Sequence, residues 1–466
     1  MTNRSDAGQR HSYHDSVDAL RRLAEWTKRT PYEGRLWLVG GALRDAQLGL
    51  PISPDLDVVT DKDAVELANW LWERRFVAGP PVVYPRFGTA QITVCGQSVE
   101  LVTARTESYA EDSRKPEVKA GTLIDDAYRR DFTVNTLIQN LHTLELLDPL
   151  GRALIDLEKR ILVTPREPSL TFHDDPLRIL RAIRFRWKYN FCYAEELRES
   201  LEQQAYRLRV VSEERIRDEF AKILELESAS DALAEMMELQ VLPHFMPELS
   251  LMVGCEQGRY HHLDVWQHSL LVIHHLRGES TVLKLAGLLH DVGKPSTRFV
   301  DEKGDTRFFN HENIGASITQ LILQRMRYPS KLIDQVVGLV KNHMRLSSAI
   351  KFTPSAARRL IRDLGQDVEL LFRLVEADMK SLKPGVKTMN LEDIRELVRT
   401  TSLETPREVL ESPLSGDEIM HLTGLGPGPE VGELKRSIQE QVLEGNIAPG
   451  DRNAASEFLL QKRKRV

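Results

Sequence analysis

The sequence predicts an α+β protein: a small α/β head with a mixed sheet and helices, followed by a long, mostly helical body. Three observations point there. From Leu36 to about Asp148, short β-rich runs alternate with helical ones. The DPLG turn signal at Asp148–Gly151 then marks a change of character. From Pro168 onward almost every segment carries the apolar period of a helix. At 466 residues the chain exceeds one ordinary core. The boundaries read from it are 1–30 for a leading helix, 31–150 for the head, 151–250 for a helical neck, 251–385 for a second functional domain and 386–466 for a terminal helical region.

Taken in order, Ser16–Lys28 reads as an amphipathic helix with Val17, Leu20, Leu23 and Trp26 inward. LWLVG, LDVVT, AQITVCG and VELVTA read as strands, and AVELANWLWER as a helix between them. Arg105–Thr133 is long, charged and poor in apolar residues, as a mobile loop should be. Beyond the DPLG turn, Pro176 sits where a first-turn proline belongs, behind the candidate N-cap Asp175. SLKPGVK and SLETPREVLESPLSGDE mark later boundaries. The basic end QKRKRV reads as a disordered tail.

Composition narrows the class. No stretch approaches the roughly 18 to 20 uncharged apolar residues of a membrane helix, and the polar N-terminus lacks the apolar core of a signal peptide. Cys95, Cys192 and Cys255 are scattered without a CxxC pair, so neither a disulfide framework nor a thiolate zinc site is indicated. A cytoplasmic protein is expected. The net charge of -6 is not that of a basic nucleic-acid binder, yet phosphate binding needs only a local basic surface.

The stretch LWLVGGALRDAQLGLPISPDLDVVT carries the first chemistry. Gly40 and Gly41 after a buried strand allow a ligand close to the backbone. The helix start that follows would aim free N–H groups at a phosphate, with Arg44 as a nearby cation. Asp55 and Asp57, two apart on a strand, point to one face. Like charges so placed favour a divalent cation between them, and Mg²⁺ prefers a pair of carboxylates plus phosphate oxygens. Glu100 on a neighbouring strand is a candidate third carboxylate, which makes a two-metal phosphoryl-transfer site.

VGGALRD followed by the D-x-D of PDLDVV resembles the nucleotidyltransferase head of class II CCA-adding enzymes and bacterial poly(A) polymerases. The likeness continues in order through RRDFTVNTL, DPLGRALIDL, HDDPLRILRAIRFRWKY and VSEERIRDEFAKIL. It implies that Asp55, Asp57 and Glu100 are catalytic and that Asp55 and Asp57 hold Mg²⁺. It also implies that Gly40, Gly41 and Arg44 bind the triphosphate, and Arg130, Asp131 and Asn135 the ribose side. Asp175 and Arg178 would read the base edge, with Arg181 and Arg184 beside them contacting nucleotide or tRNA phosphates. In that family a flexible loop at Arg105–Thr133 helps switch specificity from C to A. Its full length here favours CCA or A addition over CC addition.

A second constellation lies further on. HHLDVWQHSLLVIHH, LAGLLHDVGKP, FFNHENIGA and KNHMR place His268, His290, Asp291, His311 and His343 in helical text, and Asp378 follows. Imidazole and carboxylate together suit Ni, Mn, Fe, Zn or Mg²⁺. This H…HD…D pattern resembles the HD phosphohydrolase superfamily, with His311 and His343 at positions its two-metal members use. The resemblance implies metal-activated water attacking a phosphoester, Lys294 near the phosphate, and action such as opening 2′,3′-cyclic phosphates.

The reading is thus a tRNA nucleotidyltransferase adding C, C and A from CTP and ATP, with an HD phosphohydrolase appended. The alternatives are an A-adding or poly(A)-type enzyme, an HD hydrolase whose head binds nucleotides without transferring them, and a non-catalytic RNA-binding protein. Expected partners are tRNA, ATP and CTP, with no membrane.

Overall fold

In the computed structural model, which describes residues 4–51, 55–108, 117–258, 262–347, 352–383, 385–386 and 390–463, the run LWLV becomes strand β1 (Leu36–Val39), buried along its whole length. By contact the chain divides into two units, Met1–Ser212 with Glu238–His244, and Glu213–Met237 with Phe245–Val466.

The first unit is built on a seven-stranded mixed sheet. Its strands are β1, β2 (Leu56–Thr60), β3 (Val82–Tyr84), β4 (Thr89–Val94), β5 (Gln97–Thr103), then, past a separate pair β6 (Arg105–Ser108) and β7 (Glu117–Ala120), β8 (Ile138–Asn140) and β9 (Leu146–Leu147). The spatial order is β3-β4-β5-β2-β1-β8-β9. β2 and β5 run parallel, and the other neighbours antiparallel. β1 is apolar at every position because both of its faces are covered. Trp37 and Val39 join Val59, Val102, Ala104 and Ile138 in one core, while Leu36 and Leu38 are buried on the opposite side of the pleat. Helices α1 (Arg4–Thr27) and α3 (Ala64–Glu73) pack on β4 and β5, and the short α2 (Gly41–Gln47) follows β1 directly. Asp63 caps α3 by accepting from the amides of Val65 and Glu66.

Two expectations change here. From residue 16 on, the buried positions of α1 are Ser16, Ala19, Leu23, Ala24 and Thr27, and Val17 is exposed. Small residues line the buried side, and Trp26 instead stacks on Phe76 at 5.2 Å between ring centroids. Within Arg105–Thr133, the described residues form the antiparallel pair β6–β7 and helix α4 (Leu123–Tyr128), which opens with a Thr122–Asp125 capping box. Residues 109–116 of that expected loop lie outside the described residues.

The DPLG turn forms as expected, with the Gly151 amide donating to the Asp148 carbonyl. Beyond it come α5 (Ala153–Glu158), α6 (Pro168–Asp174), α7 (Arg178–Tyr189) and α8 (Glu195–Gln204), with a small parallel pair β10 (Ile161–Leu162) and β11 (Cys192–Tyr193). The regular turns of α7 begin at Arg178, and Asp175 is extended, as a residue before proline should be, with its carboxylate accepting from the Leu177 amide at 3.2 Å as an N-cap does.

Among the described residues the second unit is helical apart from one hairpin. It contains α9 (Glu213–Leu224), α10 (Ala229–Glu238), α11 (Val265–His275), α12 (Thr281–Leu289), α13 (Lys294–Thr297), strands β12 (Arg298–Val300) and β13 (Thr306–Phe308), α14 (His311–Arg325), α15 (Ser330–Asn342) and α16 (Met344–Ser347). It continues through α17 (Pro354–Leu364), α18 (Val368–Lys380), α19 (Leu391–Glu404), α20 (Gly416–Thr423), α21 (Pro429–Glu444) and α22 (Arg452–Arg463). α12 is buried on every side, wrapped by α11, α15 and α18. Its Lys284, wholly buried, donates to the Leu224 and Leu226 carbonyls at the end of α9. α20, α21 and α22 enclose a core of their own around Ile419, Ile438, Val442 and Leu459. Gln461–Arg463 of the expected tail close α22, and 464–466 lie outside the described residues. The boundary stretch SLKPGVK is described only in part, since 384 and 387 fall outside. No described helix is long and apolar enough to cross a membrane.

Candidate active sites

Strand register assembles the site in the first unit. The antiparallel pairing of β1 and β2 sets Val39 opposite Asp57, and the parallel pairing of β2 and β5 sets Glu100 on the other side. Asp57 therefore lies between the glycine turn and a second carboxylate, with Asp55 two residues before it. Gly40 has φ 77°, and a Cβ there would meet Arg130 Nη1 at 3.3 Å and Asp57 Oδ2 at 3.5 Å. A bare backbone thus lets a carboxylate and a guanidinium approach over the turn. The Asp57 carboxyl is pushed up to about 6, first by burial and then by the charge of Glu100, against the opposing pull of Arg130. Three hard oxygen donors, two of which raise the proton affinity of Asp57, fit a divalent cation, which would replace the proton.

Around this edge the predicted nucleotide-binding residues meet in one network. Arg130 donates to Asp126 Oδ2 at 2.9 and 3.1 Å, while Arg129 takes the other oxygen of the same buried carboxylate. Burial opposes ionisation of Asp126, but Arg130 and Arg129 overcome it and hold the group low. Asp131 is buried and fully bonded. Its Oδ1 accepts from the Phe132 amide and Asn135 Nδ2, and its Oδ2 accepts two bonds from Arg181. Burial again pushes its carboxyl up, and Arg181 with Asn135 brings it well below the usual carboxylate range. Arg178 donates to the Arg129 carbonyl, which ties α7 to the RRD segment. Arg178 and Arg181 are half-buried and Arg184 is buried, so this row is no solvated stripe.

Asp126 was missed in the sequence. Its spacing of three and four residues from Arg129 and Arg130 on a helical turn is the signal that could have found it. Arg44 differs from expectation. It is 5% exposed, and it donates to Asp45, to Asn135 Oδ1 at 2.6 Å and to the Tyr189 hydroxyl. Its guanidinium also lies 4.4 Å from the Tyr189 ring centroid and 4.8 Å from that of Phe185. Its nitrogens are spent inside the unit, so Arg44 braces α2 against α7 and is not presented to a ligand.

In the second unit all six predicted ligands converge. His268, His290 and Asp378 form one group, and Asp291, His311 and His343 another, each with donor atoms within 4.8 Å of one another. Asp291 links them. Its Oδ2 lies 3.1 Å from His290 Nε2, and its Oδ1 lies 3.5 Å from His311 Nε2 and 3.7 Å from His343 Nε2. His290, His311 and His343 each turn Nδ1 to a carbonyl three residues back, those of Gly287, Phe308 and Val340. This leaves each Nε2 aimed at the centre, the usual outer-shell arrangement of metal-binding imidazoles. His290 Nε2 is buried and faces Asp291 Oδ2, two donor atoms that one cation could take together. Burial lowers His343 to about 4, which keeps it a neutral donor. Burial opposes ionisation of Asp291, yet His290 and Lys294 hold it well below the carboxylate range. The donor set therefore fits divalent metal, with Asp291 linking the two ligand groups.

Two glycines make this convergence possible, and sequence reading passed over their role. A Cβ on Gly293 would lie 2.2 Å from the His311 carbonyl oxygen and 2.6 Å from the Gly315 nitrogen. The turn after His290-Asp291 and the first turns of α14 touch backbone to backbone. Lys294 also departs from expectation. It is buried, and its Nζ donates to Asp291 Oδ2 and Gln257 Oε1, both at 2.6 Å. It orients the bridging carboxylate and does not face a phosphate.

Comparison with known proteins finds relatives for both units. Residues 36–163 match the poly(A) polymerase head domain, 190–252 the probable RNA- and SrmB-binding site of polymerase A, and 259–383 the HD domain. The CC-adding tRNA nucleotidyltransferase of Thermus thermophilus is 32% identical over 437 residues, spanning 91% of this chain and 92% of that protein. The A-adding tRNA nucleotidyltransferase of Deinococcus radiodurans is 33% identical over 339 residues, spanning 70% and 76%. The crystal structure of the Bacillus stearothermophilus CCA-adding enzyme in complex with CTP superposes with a TM-score of 0.67, covering 97% of this chain and 98% of that one at 20% identity, a likeness of fold. The chain belongs to the tRNA nucleotidyltransferase family, metal-dependent enzymes with a poly(A) polymerase-type head, here joined to an HD domain.

Proposed function

We propose that the head, over residues 31–150, completes tRNA 3′ ends in the cytoplasm with C, C and A from CTP and ATP. The observation that carries this reading is the register that sets Asp57 between the Gly40 turn and Glu100, with Asp55 alongside. Bound at Asp55 and Asp57, Mg²⁺ would activate the attacking oxygen and neutralise the leaving one. The tRNA 3′-hydroxyl attacks the α-phosphorus and loses its proton. A new P–O ester bond forms, the bond to the β-phosphate bridge breaks, and pyrophosphate leaves. Glu100 raises the charge density at Asp57. Gly40 and Gly41 admit the triphosphate to the backbone, with Arg130 over the turn. Asp131 and Asn135 hold the ribose side, and Asp175 with Arg178 meets the base edge in the neck over 151–250, supported by Arg181 and Arg184. Arg44 acts by fixing α2 to α7.

We infer that the HD domain, over residues 251–385, hydrolyses phosphoesters such as terminal 2′,3′-cyclic phosphates. His268, His290, Asp291, His311, His343 and Asp378 would hold Ni, Mn, Fe, Zn or Mg²⁺, which supplies an activated water. A second reading, addition of only part of the terminus, draws support from relatives that bear CC-adding and A-adding names. The test is incorporation with the purified protein on tRNA lacking CCA and on tRNA ending in CC, each with CTP, ATP or both. Growth by three nucleotides on the first substrate supports full CCA addition. AMP transfer only onto CC ends, or arrest after two C, overturns it.

A further inference from the structure

We propose that the hairpin β12–β13 and the phenylalanine after it recognise the substrate of the HD site. Arg298 takes a phosphate oxygen, and Phe309 stacks on the base of the terminal nucleotide. This rests on the reading of that site as a phosphoester hydrolase.

The hairpin is pinned to the metal cluster. The Phe308 carbonyl accepts from His311 Nδ1 at 2.8 Å, and the Phe308 ring lies 5.5 Å from Lys294 Nζ, itself bonded to Asp291. Arg298 pairs with Phe308 in register, so both side chains share the face turned to Lys294. The charge of Arg298 also reaches the Cys255 thiol, which Lys294 and Asp291 influence too. A side-chain cation beside such a site would hold a further phosphate oxygen, and Lys294 is spent on Asp291 and Gln257. Among the described residues Arg298 is exposed and makes no ion pair, whereas Arg307 of the same hairpin is held by Asp301 and Asp305. Arg298 is thus the uncommitted cation beside the cluster.

Phe309 supplies the second half. It is 70% exposed, although it directly follows Phe308 and stands two residues before a buried ligand. Such a ring adds little to the core of the unit. Two residues of chain reach no more than about 7 Å, so the ring stands within a nucleotide's length of His311. An exposed aromatic face next to a phosphate site suits a nucleobase, because stacking accepts any base. The sequence Arg298 to Phe309 therefore offers one cation and one ring to a single terminal nucleotide.

The test uses the full-length protein with Mn²⁺, a nucleoside 2′,3′-cyclic phosphate and its abasic ribose analogue. Phe309→Ala should raise KM for the nucleotide roughly five- to a hundredfold and leave the abasic analogue unchanged, with Phe309→Tyr restoring it. Arg298→Ala should raise KM for both, with partial recovery in Arg298→Lys. Mn²⁺ affinity should be unaltered in all four variants, which separates recognition from damage to the cluster. If Phe309→Ala leaves nucleotide KM within about twofold, or weakens both substrates equally, the proposal is overturned. If the wild type hydrolyses neither compound, the hydrolase reading falls, and the variants are then judged by calorimetric Kd for a nucleoside 3′-phosphate. Equal affinity in wild type and Phe309→Ala would overturn the proposal there as well.

Discussion

Replacing Asp57 by asparagine should abolish nucleotide addition and yet stabilise the metal-free protein. The carboxyl is pushed up to about 6 by burial and by Glu100. Every tenfold change in an ionisation constant corresponds to about 1.4 kcal/mol. A rise from the ordinary carboxylate value to about 6 therefore represents on the order of 1–3 kcal/mol of destabilisation at neutral pH, once solvent relaxation is allowed for. The sign follows from the direction of the shift. With the folded value above the unfolded one, the penalty is fully present above pH 6, shrinks as pH falls through 6, and is gone below about 4. Asparagine keeps the shape and removes the charge. In a unit of this size 1 kcal/mol moves Tm by roughly 2–4 °C, so a gain of about 2–12 °C is expected in EDTA at pH 8. The assay is scanning calorimetry of the full-length protein. The head transition is recognised in the wild type as the one that shifts with CTP and Mg²⁺. Activity should fall on the order of a thousandfold. An unchanged or lower Tm at pH 8, or a gain undiminished at pH 5, would refute the reasoning.

Asp291→Asn removes the carboxylate that links the two ligand groups, so bound metal measured by elemental analysis should fall towards zero. Nucleotide addition should persist. Gly293→Ala would force a Cβ to within 2.2 Å of a carbonyl oxygen, and thermal melts should show the HD unit destabilised by roughly 1–3 kcal/mol or more with weakened Mn²⁺ binding. Arg44→Met leaves Asp45 buried without its ion pair. Urea unfolding should register a loss of about 3–5 kcal/mol, whereas a residue acting only as a phosphate ligand would raise KM for CTP with little effect on stability.

Much of the head was legible because its signals are local. The strands LWLV and LDVVT and the helix AVELANWLWER each announce themselves within a few residues, and each forms where expected. The six HD-site residues were also legible, because few roles other than metal binding put so many imidazoles into apolar helices. Less visible were the residues that hold the sites together. Asp126, Gln257, Gly293 and Gly315 lack any distinctive motif of their own, and their importance lies in what stands opposite them.

The sequence by itself determined the element types, the order of the motifs and the chemistry available in each unit, since these depend on residue type and short-range period. Only the tertiary structure decided which cations remain for a ligand. Arg44 is consumed by Asn135 and Tyr189, and Lys294 by Gln257 and Asp291, while Arg298 stays open. The reason is physical. A many-donor cation buried by the fold must satisfy its N–H groups with whatever acceptors long-range packing brings near, and that company is set by contacts far apart in the chain.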